Sequence, residues 1–165
     1  MLSKAVQDAI NDQINKELYS SYLYLAMSAH FESVNLPGLA KWTRVQAQEE
    51  LGHAMKFYDY IIDRSGRVNF QTVEKPTSEW KTSFEVFSQV YEHEQKVTAS
   101  IYKVYEVALK ENDYATQGML QWFISEQVEE EKNASEIVAQ LEMIEAHDTA
   151  ILMLDHRLGK RGGED

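Results

Sequence analysis

Four stretches of this chain interrupt an apolar helical stripe with groups able to hold a metal ion. The first carries Glu17. The second carries Glu50-x-x-His53, whose spacing puts both side chains on one helix face. The third carries Glu94, and the fourth carries Gln127-x-x-Glu130. Carboxylate oxygens with one imidazole are donors for iron, manganese or similar ions. The chain has no cysteine, so thiolate zinc sites, iron–sulfur clusters and disulfides are excluded.

Taken singly, each residue has a plainer explanation. A lone glutamate on an inward line usually reaches back to water, and a lone histidine is usually a hydrogen-bonded core residue. Tyr24 and Trp122 alone read as core aromatics, and Glu129-Glu130-Glu131 alone as a solvated face. The argument rests on coincidence. Each interruption falls close to the middle of its own helix, so packed helices of similar length bring all of them to one level, whichever way each helix runs. Several carboxylates in an apolar layer raise one another's pKa and destabilise the fold unless compensated. No Lys or Arg lies on these lines near that level. A bound cation is the remaining compensation, and the donors suffice for two ions sharing a bridging carboxylate. Glu49, Glu126 and Glu129 lie one step from Glu50, Gln127 and Glu130. They read either as a solvated edge or as a third, weaker cation site that shares Glu130.

The elements that must position these groups follow from periodicity. Helices are predicted at about 4–32, 39–64, 83–111 and 114–143, with a short fifth at 148–158. The inward lines run Ile10, Ile14, Glu17, Ser21, Tyr24, Ser28, Phe31; then Leu39, Trp42, Gln46, Glu50, His53, Phe57, Tyr60; then Phe84, Phe87, Tyr91, Glu94, Thr98, Ile101, Tyr105, Ala108; then Leu120, Phe123, Gln127, Glu130, Ala134, Ile137, Leu141. Leu36-Pro37-Gly38 and Asn112-Asp113 are tight breaks, which makes two antiparallel hairpins. Thr82 and Glu85 fit a capping box, and Asp113 fits an N-cap. The segment 66–82 is long for a loop. At about 3.3 Å per residue it reaches over about 50 Å, more than the roughly 40 Å of a 27-residue helix. It can therefore cross the whole bundle. The expectation is a single all-α domain over 1–165: an up-down-down-up four-helix bundle with a long crossover between the second and third helices. A small, charged tail at 159–165 is expected to be mobile.

Composition narrows the partners. The formal net charge of −11 disfavours nucleic acid and anionic membranes and favours cations. The N-terminal residues show no apolar signal core, and no stretch approaches a membrane span. A soluble cytoplasmic protein is the expectation.

The motifs together resemble those of the non-haem bacterial and archaeal ferritins. Asn15-Lys16-Glu17-Leu18-Tyr19-Ser20-Ser21-Tyr22-Leu23-Tyr24-Leu25 is similar to their first helix, and Gln48-Glu49-Glu50-Leu51-Gly52-His53-Ala54-Met55 to their second. Tyr91-Glu92-His93-Glu94 and Glu126-Gln127-Val128-Glu129-Glu130-Glu131 resemble the third and fourth. The likeness covers essentially the whole chain. It departs from the di-iron bundle pattern with two Glu-x-x-His motifs, because Gln127-x-x-Glu130 replaces the second. That departure, with Gly52 where bacterioferritins carry a haem-ligating methionine, implies no haem. The missing cysteines set the chain apart from rubrerythrins, and the fifth helix sets it apart from mini-ferritins.

The resemblance implies a ferroxidase that oxidises Fe(II) with dioxygen or peroxide and stores it as a ferric mineral. One iron would be held by Glu17, Glu50 and His53, and the second by Glu50, Glu94 and Glu130 with Gln127 close by. A third iron would be held by Glu49, Glu126, Glu129 and Glu130. Tyr24 lies beside the centre, either as an electron donor or as a packed phenol. The resemblance also implies a hollow octahedral homo-oligomer of twenty-four subunits, with the apolar fifth helix packing against symmetry mates. The competing expectation is a di-iron or di-manganese oxidase acting on an organic substrate.

Overall fold

The computed structural model describes residues 2–144 and 148–162. Five helices follow one another: α1 (Lys4–Ser33), α2 (Pro37–Asp63), α3 (Ser83–Lys110), α4 (Tyr114–Ile144) and the short α5 (Asp148–Leu158). Hydrogen bonds across the bundle fix its directions. Ser28 and Ser21 of α1 donate to the carbonyls of Ala40 and Ala47 of α2, so the two run antiparallel. Gln13 and Ser20 meet Ser100 and His93, which sets α3 antiparallel to α1. Gln46 reaches Glu130 while Arg64 reaches Asp113, so α4 runs against α2. The order is up, down, down, up, as the loop lengths predicted.

The breaks have local causes. Among the described residues three non-glycine residues take left-handed φ, and each follows a helix end: Asn35 at 59°, Ser65 at 55° and Asn112 at 52°. At the second break it is Ser65, and not the neighbouring glycine, that turns the chain. A Cβ on Gly66 would lie 3.0 Å from Gln7 and Ile61 side-chain atoms, so glycine is kept there for close packing. Pro37 opens α2 as its first residue instead of ending a turn before it, since a proline lacks only an N–H that the first turn does not need. Thr82 accepts from the Glu85 amide at 3.1 Å, and Asp113 caps α4 through Thr116 at 3.0 Å. The Glu85 carboxylate returns to the Lys81 amide rather than to that of Thr82.

The crossover is tied down along α1. Asn11 donates to the Arg67 carbonyl at 3.1 Å and accepts from the Asn69 amide at 2.8 Å, while Gln7 accepts from the Arg67 amide. A long irregular segment keeps its backbone groups satisfied in this way.

The inward line on α3 differs from the predicted one. Phe84 is exposed, and the positions of Tyr91, Thr98 and Tyr105 are only half-buried, whereas Val90, Val97 and Val104 are buried. The stripe is wide because α3 packs on both α1 and α4, and its centre lies one residue from the line read in the sequence. Trp122 also lies at the surface, 40% exposed, with the Lys56 ammonium over its face.

The C-terminal part docks on its own subunit. Leu154 and Asp155 are buried, and the Asp155 carboxylate accepts from the Leu39 amide at 2.8 Å, capping α2 from a distance in sequence. A Cβ on Gly38 would stand 1.8 Å from the Asp155 carbonyl oxygen, so only glycine admits this approach. Leu152 and Met153 face outward, 59% and 72% exposed. The segment expected to be a mobile tail begins with packed residues. Arg161 lies over the Trp42 ring at 4.5 Å and pairs with Glu49. The rest of that tail, 163–165, lies outside the described residues.

Candidate metal centre

Among the described residues the buried apolar side chains form two clusters. One surrounds Phe31, Leu39, Phe87 and Leu141; the other surrounds Ile10, Phe57, Ile101 and Phe123. Between them lies a polar layer in which Glu17, Glu50, His53, Glu94, Gln127 and Glu130 are all buried, at 5% exposure or less. Each comes from the middle of its helix. Burying four carboxylates costs several kcal/mol per uncompensated ion, so the layer needs an explanation beyond packing.

Glu17, Glu50 and His53 present ligand atoms that all lie within 4.8 Å of one another. His53 Nδ1 is 3.4 Å from Glu50 Oε2 and 3.9 Å from Glu17 Oε2. Among the described residues no other such group of His, Asp and Glu forms. Glu94 and Glu130 share the layer but are held back by amide bonds. Gln127 Nε2 donates to Glu94 Oε2 at 3.2 Å, and the Tyr24 hydroxyl donates to Glu94 Oε1. Gln46 Nε2 donates to Glu50 Oε1 at 3.1 Å and to Glu130 Oε2 at 2.8 Å, bridging the two halves of the layer.

The protonation pattern is that of a site awaiting positive charge. Burial and the neighbouring Glu50 carboxylate push Glu17 well above the ordinary range. The same two causes raise Glu94 to about 8, and burial with the Glu94 and Glu50 charges raises Glu130 to about 8. Burial also presses Glu50 upward, but hydrogen bonding and attraction to His53 outweigh it and hold Glu50 below its ordinary value. His53 is raised in turn: its burial opposes the charge, and the Glu50 carboxylate overcomes it. Burial and the Glu94 carboxylate lift the Tyr24 phenol well above its usual range. Glu17 Oε2 is buried without a hydrogen-bond partner, an acceptor facing the imidazole. An acceptor left unmet in such a layer is what a bound cation would satisfy.

The outer acidic set is arranged differently. Glu49 and Glu129 are exposed and Glu126 is half-buried, and they do not converge on one another as the triad does. Glu49 Oε2 is engaged by Arg161 Nη2 at 2.5 Å. The cation that the helical lines lacked is thus delivered from beyond α5, and its charge offsets part of the rise in the Glu130 pKa.

Sequence reasoning missed the amide scaffold. Gln13 donates through Nε2 to Glu17 Oε1 at 2.7 Å and accepts the Ser100 hydroxyl at Oε1, and Gln46 donates through Nε2 to Glu50 Oε1 at 3.1 Å. The signal was available: Gln13-x-x-x-Glu17 and Gln46-x-x-x-Glu50 are the same i, i+4 pair on two helices.

A paired carboxylate–imidazole layer inside an up-down-down-up bundle has known relatives. The ferritin-like domain family model matches residues 7–144. The chain belongs to the ferritin family. A bacterial non-heme ferritin of Bacteroides fragilis is 42% identical over 161 residues, covering 98% of this chain and all of that one. A bacterial non-heme ferritin of Staphylococcus haemolyticus is 36% identical over 165 residues, covering 100% and 99%. Among solved structures, an open pore ferritin from Archaeoglobus fulgidus superposes with a TM-score of 0.97 at 47% identity, covering 98% of this chain and 99% of that one. Family and structure together place this ferritin among the non-haem type, and support iron storage as its role. The organic-substrate oxidase is not favoured by any of these relatives. No helix among the described residues is long and apolar enough to cross a membrane.

Proposed function

We propose that this ferritin is a cytoplasmic ferroxidase that oxidises Fe(II) in the buried layer and stores the product as a ferric mineral inside a hollow shell of twenty-four copies. The observation that carries the reading is the convergence of Glu17, Glu50 and His53 at the midpoint of the bundle, with Glu94, Gln127 and Glu130 in the same layer. Iron is the substrate here. The first ion is taken by Glu17, Glu50 and His53. The second is taken by Glu50, Glu94 and Glu130, once Gln46 and Gln127 yield their bonds to these carboxylates. Glu50 serves both, which suits its lowered pKa: it is the layer's permanent anion.

Two ferrous ions give up one electron each, and dioxygen takes up both with two protons to become hydrogen peroxide. With peroxide as oxidant, two further electrons and two protons yield two waters. Pairing the electrons avoids one-electron products. Loading two dications displaces the protons held on Glu17, Glu94 and Glu130, so binding releases acid and strengthens with pH. An amide at Gln127 in place of a second imidazole loosens retention of the second ion, which suits a site that must pass its product on. The outer set of Glu49, Glu126, Glu129 and Glu130 would hold a third, weaker iron. The exposed Leu152 and Met153 of α5 are apolar surface for neighbouring subunits in the shell.

The test is anaerobic loading of metal-free protein with ferrous iron, followed by rapid mixing with oxygenated buffer. A ferric absorbance that rises quickly and saturates at about two irons per chain is expected, as for a paired-metal site. Oxidation no faster than in buffer, or a gel-filtration profile of a lone 19.1 kDa chain, would remove the reading.

A further inference from the structure

Where α5 ends against α2 and α4, the chain borders a cavity of about 400 Å³. Its lining differs from the rest of this acidic surface. Arg157, on the last turn of α5, and Arg161, just beyond that helix, bring two guanidinium groups to it. Asn133 of α4 adds an amide, and Trp42 of α2 with Ile137 of α4 supplies apolar wall. Among the described lining residues the one carboxylate is Glu136, which lies 3.9 Å from the Lys132 ammonium. Arg161 is fixed from several sides. Its guanidinium lies over the Trp42 ring at 4.5 Å, and Nη2 pairs with Glu49 Oε2 at 2.5 Å. The next residue, Gly162, takes a left-handed φ of 69°. A Cβ there would stand 3.1 Å from a Val45 methyl, so the backbone is pressed against α2.

One nitrogen of that guanidinium is left over. Nη1 is buried and has no hydrogen-bond partner. Taking such a donor out of water is costly unless an acceptor replaces the water, and Glu49 is already engaged at Nη2. Among the described residues Arg157 donates only from Nη2, to Gln140, so most of its donor fork remains open. Two cationic forks with unmet donors therefore face one cavity.

We propose that this cavity binds a tetrahedral oxyanion, phosphate or sulfate, between Arg157 and Arg161, and that the bound anion raises the affinity of the outer carboxylates for a dication. Guanidinium forks match the oxygens of such anions in charge-assisted pairs, and the Asn133 amide is a neutral donor beside them. An anion on Nη1 shares its guanidinium with Glu49. Its charge offsets that of Arg161, so a dication approaching Glu49 meets less repulsion. By linkage the dication tightens the anion by the same factor. Anion binding stands on the cavity alone. The coupling rests on the reading above, in which Glu49, Glu126, Glu129 and Glu130 hold a cation.

The site is tested by equilibrium dialysis of the metal-free protein against labelled phosphate, at constant ionic strength in chloride. Saturable uptake is expected, with sulfate competing. Arg157→Gln and Arg161→Lys should each weaken it by roughly fivefold or more, the second because an ammonium keeps the charge and loses the fork. Glu136→Gln removes the opposing carboxylate and should strengthen it about two- to fivefold. Lys4→Gln removes an exposed cation of α1 and should leave it unchanged. Absence of saturable uptake, or an unchanged affinity in any of the three cavity variants, overturns the site. So does a loss in Lys4→Gln as large as in the arginine variants. The coupling is tested by Zn²⁺ titration calorimetry in sulfate and in chloride of equal ionic strength. The weak outer binding should be about two- to fivefold tighter in sulfate, and Arg161→Gln should abolish the difference. Equal outer affinities in the two salts, or a difference that survives in Arg161→Gln, overturns the coupling. Absence of any outer Zn²⁺ binding overturns the coupling together with the outer-set reading, and leaves the dialysis result standing.

Discussion

Two acidic groups sit a few residues apart in this ferritin, and the fold treats them in opposite ways. The inner layer of Glu17, Glu50, His53, Glu94 and Glu130 is buried between two apolar clusters and fixed by glutamine amides. The outer set of Glu49, Glu126 and Glu129 is open to water, and Glu49 is neutralised by Arg161 from the C-terminal segment. The inner carboxylates are compensated by neutral donors, one imidazole and their own protons, with Arg161 acting on Glu130 at a distance. Water and a guanidinium compensate the outer ones. Similar acid content thus stands in two different states: only the inner carboxylates are held out of water, where a cation would complete their neutralisation.

The largest effect should come from removing the shared anion. In Glu50→Ala both halves of the layer lose a donor, and the rapid oxidation phase should fall on the order of 100-fold or more, beyond the 10–100-fold usual for outer-shell partners. Glu129→Gln removes an exposed, screened charge and should change the initial rate by less than about threefold. Stopped-flow absorbance on the two variants decides whether the contrast between the groups is real. Comparable losses would erase it.

The next effect concerns stability. In the metal-free protein Glu94 and Glu130 titrate near 8 instead of near 4.5. Their folded pKa values are raised, so between these limits the folded chain retains protons that the unfolded chain has released. Their contribution to stability should therefore be fully present below about pH 4.5 and be lost as pH rises toward 8. The expected fall in Tm of the metal-free shell is on the order of 5 °C or more. A redox-inert dication such as Zn²⁺ binds the deprotonated layer and should flatten or reverse the slope. Differential scanning calorimetry across that range, with and without the ion, provides the check. A Tm that rises with pH in the absence of metal would mean the layer is solvated.

Much of this was legible in the sequence, for reasons that differ by element. The four helices and their order followed from apolar periodicity and from one loop long enough to span the bundle. The inner layer followed from polar interruptions that recur at the same height. The face of α3 was misjudged because Tyr91, Thr98 and Tyr105 form as regular a line as Val90, Val97 and Val104; only the presence of two packing partners chooses between them. Gln46 stands on the inward line without a role and Gln13 lies off it, so their part emerges only when the carboxylate four residues on is counted for each. Arg161 could not be placed at all. Its position depends on Asp155 capping α2 and on the bare backbone of Gly38, contacts between segments more than a hundred residues apart.

That tail arginine gives the smallest effect and the finest test of the comparison. Arg161 pairs with Glu49 and rests on Trp42, and its side chain keeps 24% exposure. A partly exposed pair of this kind contributes about 0–1 kcal/mol, so Arg161→Gln should leave Tm nearly unchanged. Its consequence should lie in ion binding. With the guanidinium gone, Glu49 loses its tethered counter-charge, and a dication near it meets less repulsion. Zn²⁺ titration by calorimetry should then show the weak outer binding strengthened by about two- to fivefold, as for loss of one charge at a screened surface. The two inner equivalents should stay as they were, because Arg161 reaches Glu130 only at a distance and touches none of the triad. If inner and outer affinities rise together, the two acidic groups share one electrostatic environment, and their separation by burial is not the organising feature of the site.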